Sequence, residues 1–244
     1  MLVHTNDIME SGNNAKSIII RTNDTDVVVL FLSFFEQFLQ FNSQADIWID
    51  FGLGEHRKLV SIKHSYDMMG DSICFALPFF HAFSGCDSTC SVYHKTKNNL
   101  FDHWLTYPEH EVITAAFQQL SWQPSPTVIE AQFPVIEKFV AYLFGQKDQN
   151  LVDIARYTLF SSSPKSNLRE LPPSQNALKQ HVLRSAYQSG WVWGNTLSSQ
   201  EVPPLTDMGW TYDENKMLRM HWFNEDVNSS SVKLMELLKT CKCR

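Results

Sequence analysis

The chain has 244 residues, a formal net charge of -6, and 43% hydrophobic against 19% charged residues. That balance excludes wholesale disorder and a basic coat over the whole surface, and leaves room for a local basic groove. No apolar run reaches about 18 residues, so no membrane span is expected. No basic start followed by an apolar core marks a secretory signal.

Residues 2–11 fit a short helix with Leu2, Ile8 and Met9 turned inward, closed by Ser11-Gly12-Asn13-Asn14. Ser17–Thr22 is a strand. Its Ile18, Ile19 and Ile20 suit a strand covered on both faces, as in a parallel sheet. The turn after it holds two carboxylates, Asp24 and Asp26, at the strand's carboxyl end, where such sheets place ligands. Two carboxylates this close need a cation, a proton or a helix N-terminus to compensate them. Asp24 is equally an N-cap for the helix expected over Val27–Phe41.

Residues 45–52 form a strand, with Ile47 and Ile49 alternating against Trp48 and Asp50, and residues 58–63 a second strand, so a hairpin is expected. Residues 64–70 read as a connector. Asp71–Ser84 reads as a helix with an apolar stripe of Ile73, Leu77, Phe80 and Phe83, kinked by Pro78. His81 on this helix is expected to be a core histidine bonded to backbone. Gly85 suits its C-cap, and Asp87 or Ser88 suits the N-cap of the next element.

Beyond Pro124-Ser125-Pro126, helices are expected at 135–144, 153–160 and 178–187, after one at 112–120. A linker-like run starts near Ser161. The tail carries Trp191, Trp193, Trp210 and Trp222 among prolines and glycines and reads as an irregular lobe wrapping the core. The five cysteines are Cys74, Cys86, Cys90, Cys241 and Cys243; an odd number with no signal favours a reducing, intracellular compartment. Cys86 and Cys90, four apart, are either ordinary small buried residues or one side of a metal site with no second Cys/His pair nearby.

Taken together, RTNDTDVVVL and, about sixty residues later, LPFFHAFSGCDSTCSVYHKTK resemble a PIN-like, flap-endonuclease-like domain of transposon-associated invertebrate proteins. LPPSQNALKQHVLRSAYQSGWVWG and PPLTDMGWTYDE are similar to the same family's carboxyl-terminal region. The resemblance implies an α/β fold: a PIN-like parallel sheet flanked by helices over residues 1–145, then a helical and irregular, tryptophan-rich extension over 146–244. It implies divalent-metal-dependent hydrolysis of DNA or RNA, with Asp24, Asp26 and Asp87 as catalytic residues and ligands of Mg²⁺ or Mn²⁺. Lys95 and Lys97 fall where related nucleases grip the nucleic-acid backbone.

The chain departs from the family in three respects. The loop YHKTKNN lacks the family's glycines. The acidic motif and first strand expected upstream of Met1 are not in this sequence, and the cysteine-rich module expected near Cys243 is not either. The chain therefore reads as truncated at both ends, with weak metal affinity. The alternative to a nuclease is a non-catalytic interaction protein that retains the fold.

Overall fold

The computed structural model describes residues 1–11, 17–41, 46–92, 95–162, 167–198 and 200–222. The described chain is mixed α/β. Strand β1 (Ser17–Thr22) pairs in parallel with β2 (Asp46–Phe51), bringing Thr22 opposite Phe51. Strand β3 (Lys58–Ser61) returns antiparallel to β2, with Phe51 opposite Lys58. The expected hairpin is present, and the sheet is mixed rather than wholly parallel. Its order is β1-β2-β3, so β1 lies at an edge. One face of β1 is open and Ile19 is 65% exposed, which corrects the expectation of a strand covered on both faces. The central strand is β2, whose Ile47 and Ile49 are fully buried.

Helix α1 (Leu2–Glu10) buries Leu2, Thr5 and Met9, while Ile8 faces outward. The run from Thr25 to Phe41 is two helices, α2 (Thr25–Ser33) and α3 (Phe35–Phe41), meeting at Phe34. The expected connector after β3 is helix α4 (Ile62–Met69). Ser61 ends the strand and also caps this helix, its hydroxyl accepting from the His64 amide. Ile62 and Tyr66, four apart, turn to the core.

Helix α5 (Asp71–Phe83) is the axis of the molecule. Ten of its thirteen residues are buried, the signature of a helix surrounded on all sides. Against it pack α2, α4, α7 (His110–Ser121) and α10 (Gln175–Ala186). Pro78 cannot donate a helical hydrogen bond and its ring disturbs the preceding turn. The α7 terminus fills the disturbance: the Phe79 amide donates to Ser121 Oγ at 3.0 Å, and Trp122 Nε1 donates to the Phe75 carbonyl at 3.2 Å. Phe79, Phe80 and Phe83 stack with Phe117 and Trp104, ring centres 4.9–6.4 Å apart. Trp104 belongs to α6 (Lys97–Leu105), which Thr96 caps.

The core continues across residue 145. Helix α8 (Pro126–Leu143) starts on the Ser125 cap with Pro126 in its first turn. Its buried Glu137 accepts from the Val152 amide at 3.1 Å, at the start of α9 (Val152–Ser162), and from Gln175 Nε2 at 2.9 Å, at the start of α10. One apolar cluster holds Phe31 and Ile49 together with Val152, Leu178 and Met208. After Ala186 the chain continues as a π-helix over Tyr187–Trp193. A hairpin of β4 (Trp210–Tyr212) and β5 (Leu218–Met220) follows. Trp193 is buried in the expected carboxyl-terminal lobe, whereas Trp222 stays half-exposed. Cys241 and Cys243 lie outside the described residues. Among the described residues no helix is long and apolar enough to cross a membrane.

Candidate functional site

Thr22 and Phe51 end the two parallel strands side by side, and the turn holding Asp24 and Asp26 starts there. Asp24 caps α2: its Oδ1 accepts from the Asp26 amide at 2.9 Å. The helix N-terminus therefore compensates one of the two carboxylates. The other finds a different partner. Asp26 Oδ1 lies 2.7 Å from His81 Nε2. Lys97 Nζ also reaches this histidine, 2.9 Å from Nδ1, 3.4 Å from Nε2 and 3.3 Å from the His81 carbonyl oxygen. A carboxylate only accepts, so Nε2 carries the hydrogen given to Asp26. Trp193 of the π-helix packs on the same ring, centres 5.7 Å apart.

His81 thus joins α2, α6 and the π-helix through one buried imidazole. The expectation of a backbone-bonded core histidine is corrected: its ring partners are side chains. The only signal in the sequence was its isolation among apolar residues of α5. Burial pushes the Lys97 ammonium below its usual value, against the opposing effect of nearby Cys86 and Asp26.

A cavity of about 370 Å³ opens beside this cluster at the carboxyl ends of β1 and β2. Val28, Val29, Leu77 and Phe80 form apolar walls, and Lys58, His81 and Lys97 bring basic groups to it. The location agrees with the rule that ligands sit beyond the carboxyl ends of parallel strands.

Asp87 and Lys95 sit apart from this cluster's contacts. Asp87 is exposed in the turn closed by the Cys86–Thr89 bridge, and it caps no helix, contrary to expectation. Thr89 Oγ1 anchors that turn on the Ala82 carbonyl, and Ser88 Oγ donates to Gln188 Oε1 at 2.7 Å. Gly85 leads into the turn with φ +109, and a Cβ there would fall 2.8 Å from Ser91 Cβ. Lys95 Nζ lies over the Phe144 ring, 5.5 Å from its centre. Cys86 Sγ contacts Ser88 and Thr89 hydroxyls, while Cys90 faces Met220 Sδ.

For Mg²⁺ or Mn²⁺ the donor set fits poorly. One oxygen of Asp24 is occupied by a backbone amide and one of Asp26 by an imidazole. Among the described residues no three His, Cys, Asp or Glu side chains gather so as to hold a metal ion.

A second charged group lies on the sheet. Asp50 on β2 is 5% exposed and accepts from Arg57 Nε at 2.6 Å, Arg57 Nη2 at 2.8 Å and Arg21 Nη1 at 3.1 Å. The Arg57 hydrogen bonds, with Arg21 adding to them, hold this carboxyl below the usual carboxylate range. It fastens β1 to the β2–β3 hairpin at the strand ends that bear the cavity.

No family model, no curated protein and no solved structure matches the chain.

Proposed function

We propose that this chain is a PIN-like, nuclease-type domain that engages the phosphodiester backbone of DNA or RNA, with its carboxylate centre compensated from within. The observation that supports this reading is the Asp26–His81 contact of 2.7 Å. A carboxylate that serves a divalent ion must keep its oxygens for the metal. Here the imidazole takes one, and Lys97 lies against the same histidine, donating to its carbonyl oxygen at 3.3 Å. Lys97 has three ammonium hydrogens, and those not directed at His81 suit a phosphate oxygen at the cavity. With a net charge of -6, binding of this kind rests on local contacts rather than on the field of the whole protein.

The competing reading is metal-dependent hydrolysis through Asp24, Asp26 and Asp87. It is favoured by the position of the first two at the carboxyl end of a parallel strand. One experiment separates the two. Fluorescent single-stranded and flap oligonucleotides are incubated with the protein in EDTA, Mg²⁺ or Mn²⁺, and both anisotropy and cleavage are recorded. The expected result is metal-independent binding that weakens in Lys97→Ala, with the salt slope reduced by about 1, and no cleavage above that of Asp24→Ala. Cleavage that requires metal and disappears in Asp24→Ala and Asp26→Ala would establish the hydrolytic reading instead.

A further inference from the structure

The strongest electrostatic anomaly of the molecule lies away from that cavity, on α10. Arg184 is 1% exposed, yet no ion pair among the described residues includes it. Buried guanidinium groups are ordinarily paired with an acid. The guanidinium's hydrogen bonds among the described residues both leave from Nη1, to the Gly209 carbonyl at 2.9 Å and the His221 carbonyl at 2.7 Å. Among the described residues Nε is buried with no acceptor. Among those residues the edge formed by Nε–H and Nη2–H makes no hydrogen bond.

The group is nonetheless firmly held. The Trp222 ring lies over it, 5.4 Å from the guanidinium carbon. Gly209, at φ +83, lets the chain close down on the arginine: a Cβ there would fall 2.6 Å from the Gln180 carbonyl and 3.0 Å from Arg184 Cγ. A fork of donors fixed in place is pre-organised for a partner.

Arg184 and Trp222 line a half-open cavity of about 270 Å³. Its walls are apolar, formed by Phe83, Val140, Phe144, Leu171 and Leu178. His181 also lines it; its Nε2–H donates to the Phe83 carbonyl at 2.8 Å, and burial pushes the imidazole down to about 4. At neutral pH Arg184 is thus the charged group set within the walls, with exposed Arg169 at the rim.

The geometry points to a binding site for a small apolar monocarboxylate, its carboxylate paired with the Arg184 guanidinium and its hydrocarbon body against the apolar walls. A monocarboxylate matches the single charge of the guanidinium. A phosphate would bring a second charge against largely apolar walls. The cavity volume suits a short-chain ligand, at the small end of ligand sites.

Octanoate, octanol and octylamine at neutral pH and fixed salt test this, with binding read by calorimetry and by tryptophan fluorescence. Octanoate is expected to bind at least tenfold more tightly than octanol, and octylamine not at all. Arg184→Lys keeps the charge but loses the planar guanidinium held under Trp222, so octanoate binding falls at least tenfold while octanol binding is unchanged. Ala177→Trp places an indole in the cavity and abolishes binding of both, with its fold checked by circular dichroism and melting temperature. If Arg184→Lys does not fold, the octanoate-to-octanol ratio and Ala177→Trp decide. Equal binding of octanoate and octanol, no octanoate binding to the unaltered chain, or full octanoate binding to folded Ala177→Trp would each overturn the assignment. None of these outcomes depends on nucleic-acid binding at Lys97.

Discussion

Asp26 and His81 stand 55 positions apart in sequence and 2.7 Å apart in the folded chain. The pair answers the question that the crowded Asp24–Asp26 turn poses. A helix N-terminus donates to the first carboxylate and an imidazole with an ammonium beside it donates to the second. Charge compensation here is therefore a property of the tertiary packing of α2 against α5 and α6.

Replacing His81 by alanine exposes that logic. The variant loses a buried hydrogen-bonded ring and is expected to be less stable by about 2–4 kcal/mol. It also frees the Asp26 carboxylate beside Asp24. Under the proposed function, Mg²⁺ or Mn²⁺ then raises the melting temperature of His81→Ala while leaving the unaltered protein unmoved. Thermal melts with and without each ion check this; a metal-induced rise in both proteins would show that His81 does not block the site.

Asp50 gives a pH dependence with a defined sign. Its carboxyl is held below the ordinary carboxylate value in the folded state, chiefly by Arg57. The unfolded chain therefore binds a proton first as pH falls. The stabilisation is fully present above about pH 4, the unfolded value, and is lost as pH falls through the lower folded value. Melting curves of the unaltered protein and Asp50→Asn should differ most above that point and converge below it. A gap that stays constant down to strongly acid pH would mean that Asp50 acts through packing alone.

Local signals were legible in the sequence. The Asp24 cap and the hairpin of β2 and β3 each depend on neighbours a few residues away. Helix α8 instead begins at Pro126, well before the helix expected from residue 135, because Ser125 caps it and a proline is tolerated in its first turn. Helix α4 was hidden because its cap, Ser61, is also the last residue of a strand. The isoleucine run of β1 suggested two covered faces, and only the sheet order reveals an edge strand with Ile19 outside. Asp50 read as the polar side of an alternating strand; its burial comes from Arg21 and Arg57, which cover it. The candidate site was half legible: its turn and Lys97 have local signatures, whereas the His81 contact and the burial of Arg184 exist only once distant helices meet.

Ser121 supports the proline in α5 from outside the helix. Its hydroxyl accepts from the Phe79 amide and donates to the Phe117 carbonyl at 2.8 Å. Ser121→Ala leaves a buried amide without that acceptor and is expected to cost about 1–3 kcal/mol. In a Pro78→Ala background the helix regains its own hydrogen bond, so the cost of Ser121→Ala should shrink. A double-mutant cycle by chemical denaturation measures the difference; strict additivity would show that Ser121 and Pro78 act independently.

Glu137 carries the corresponding burden between the two ends of the chain. It is 2% exposed on α8 and receives the first amide of α9 and the side-chain amide of Gln175 at the start of α10. Both partners lie beyond residue 145, in the stretch expected from sequence to form a helical and irregular lobe wrapping the core. Glu137→Ala strands the Val152 amide and the Gln175 side chain in the interior, and charged-group hydrogen bonds are worth about 1.5–3 kcal/mol each. The loss should exceed about 3 kcal/mol and should weaken amide protection in α9 and α10 before that in α5. Because one apolar cluster spans both stretches, unfolding of the unaltered protein is expected as a single transition, and Glu137→Ala should separate it into two. Hydrogen exchange and calorimetry read both effects. Two transitions already present in the unaltered protein would mean that α9 and α10 form a unit whose stability does not depend on this carboxylate.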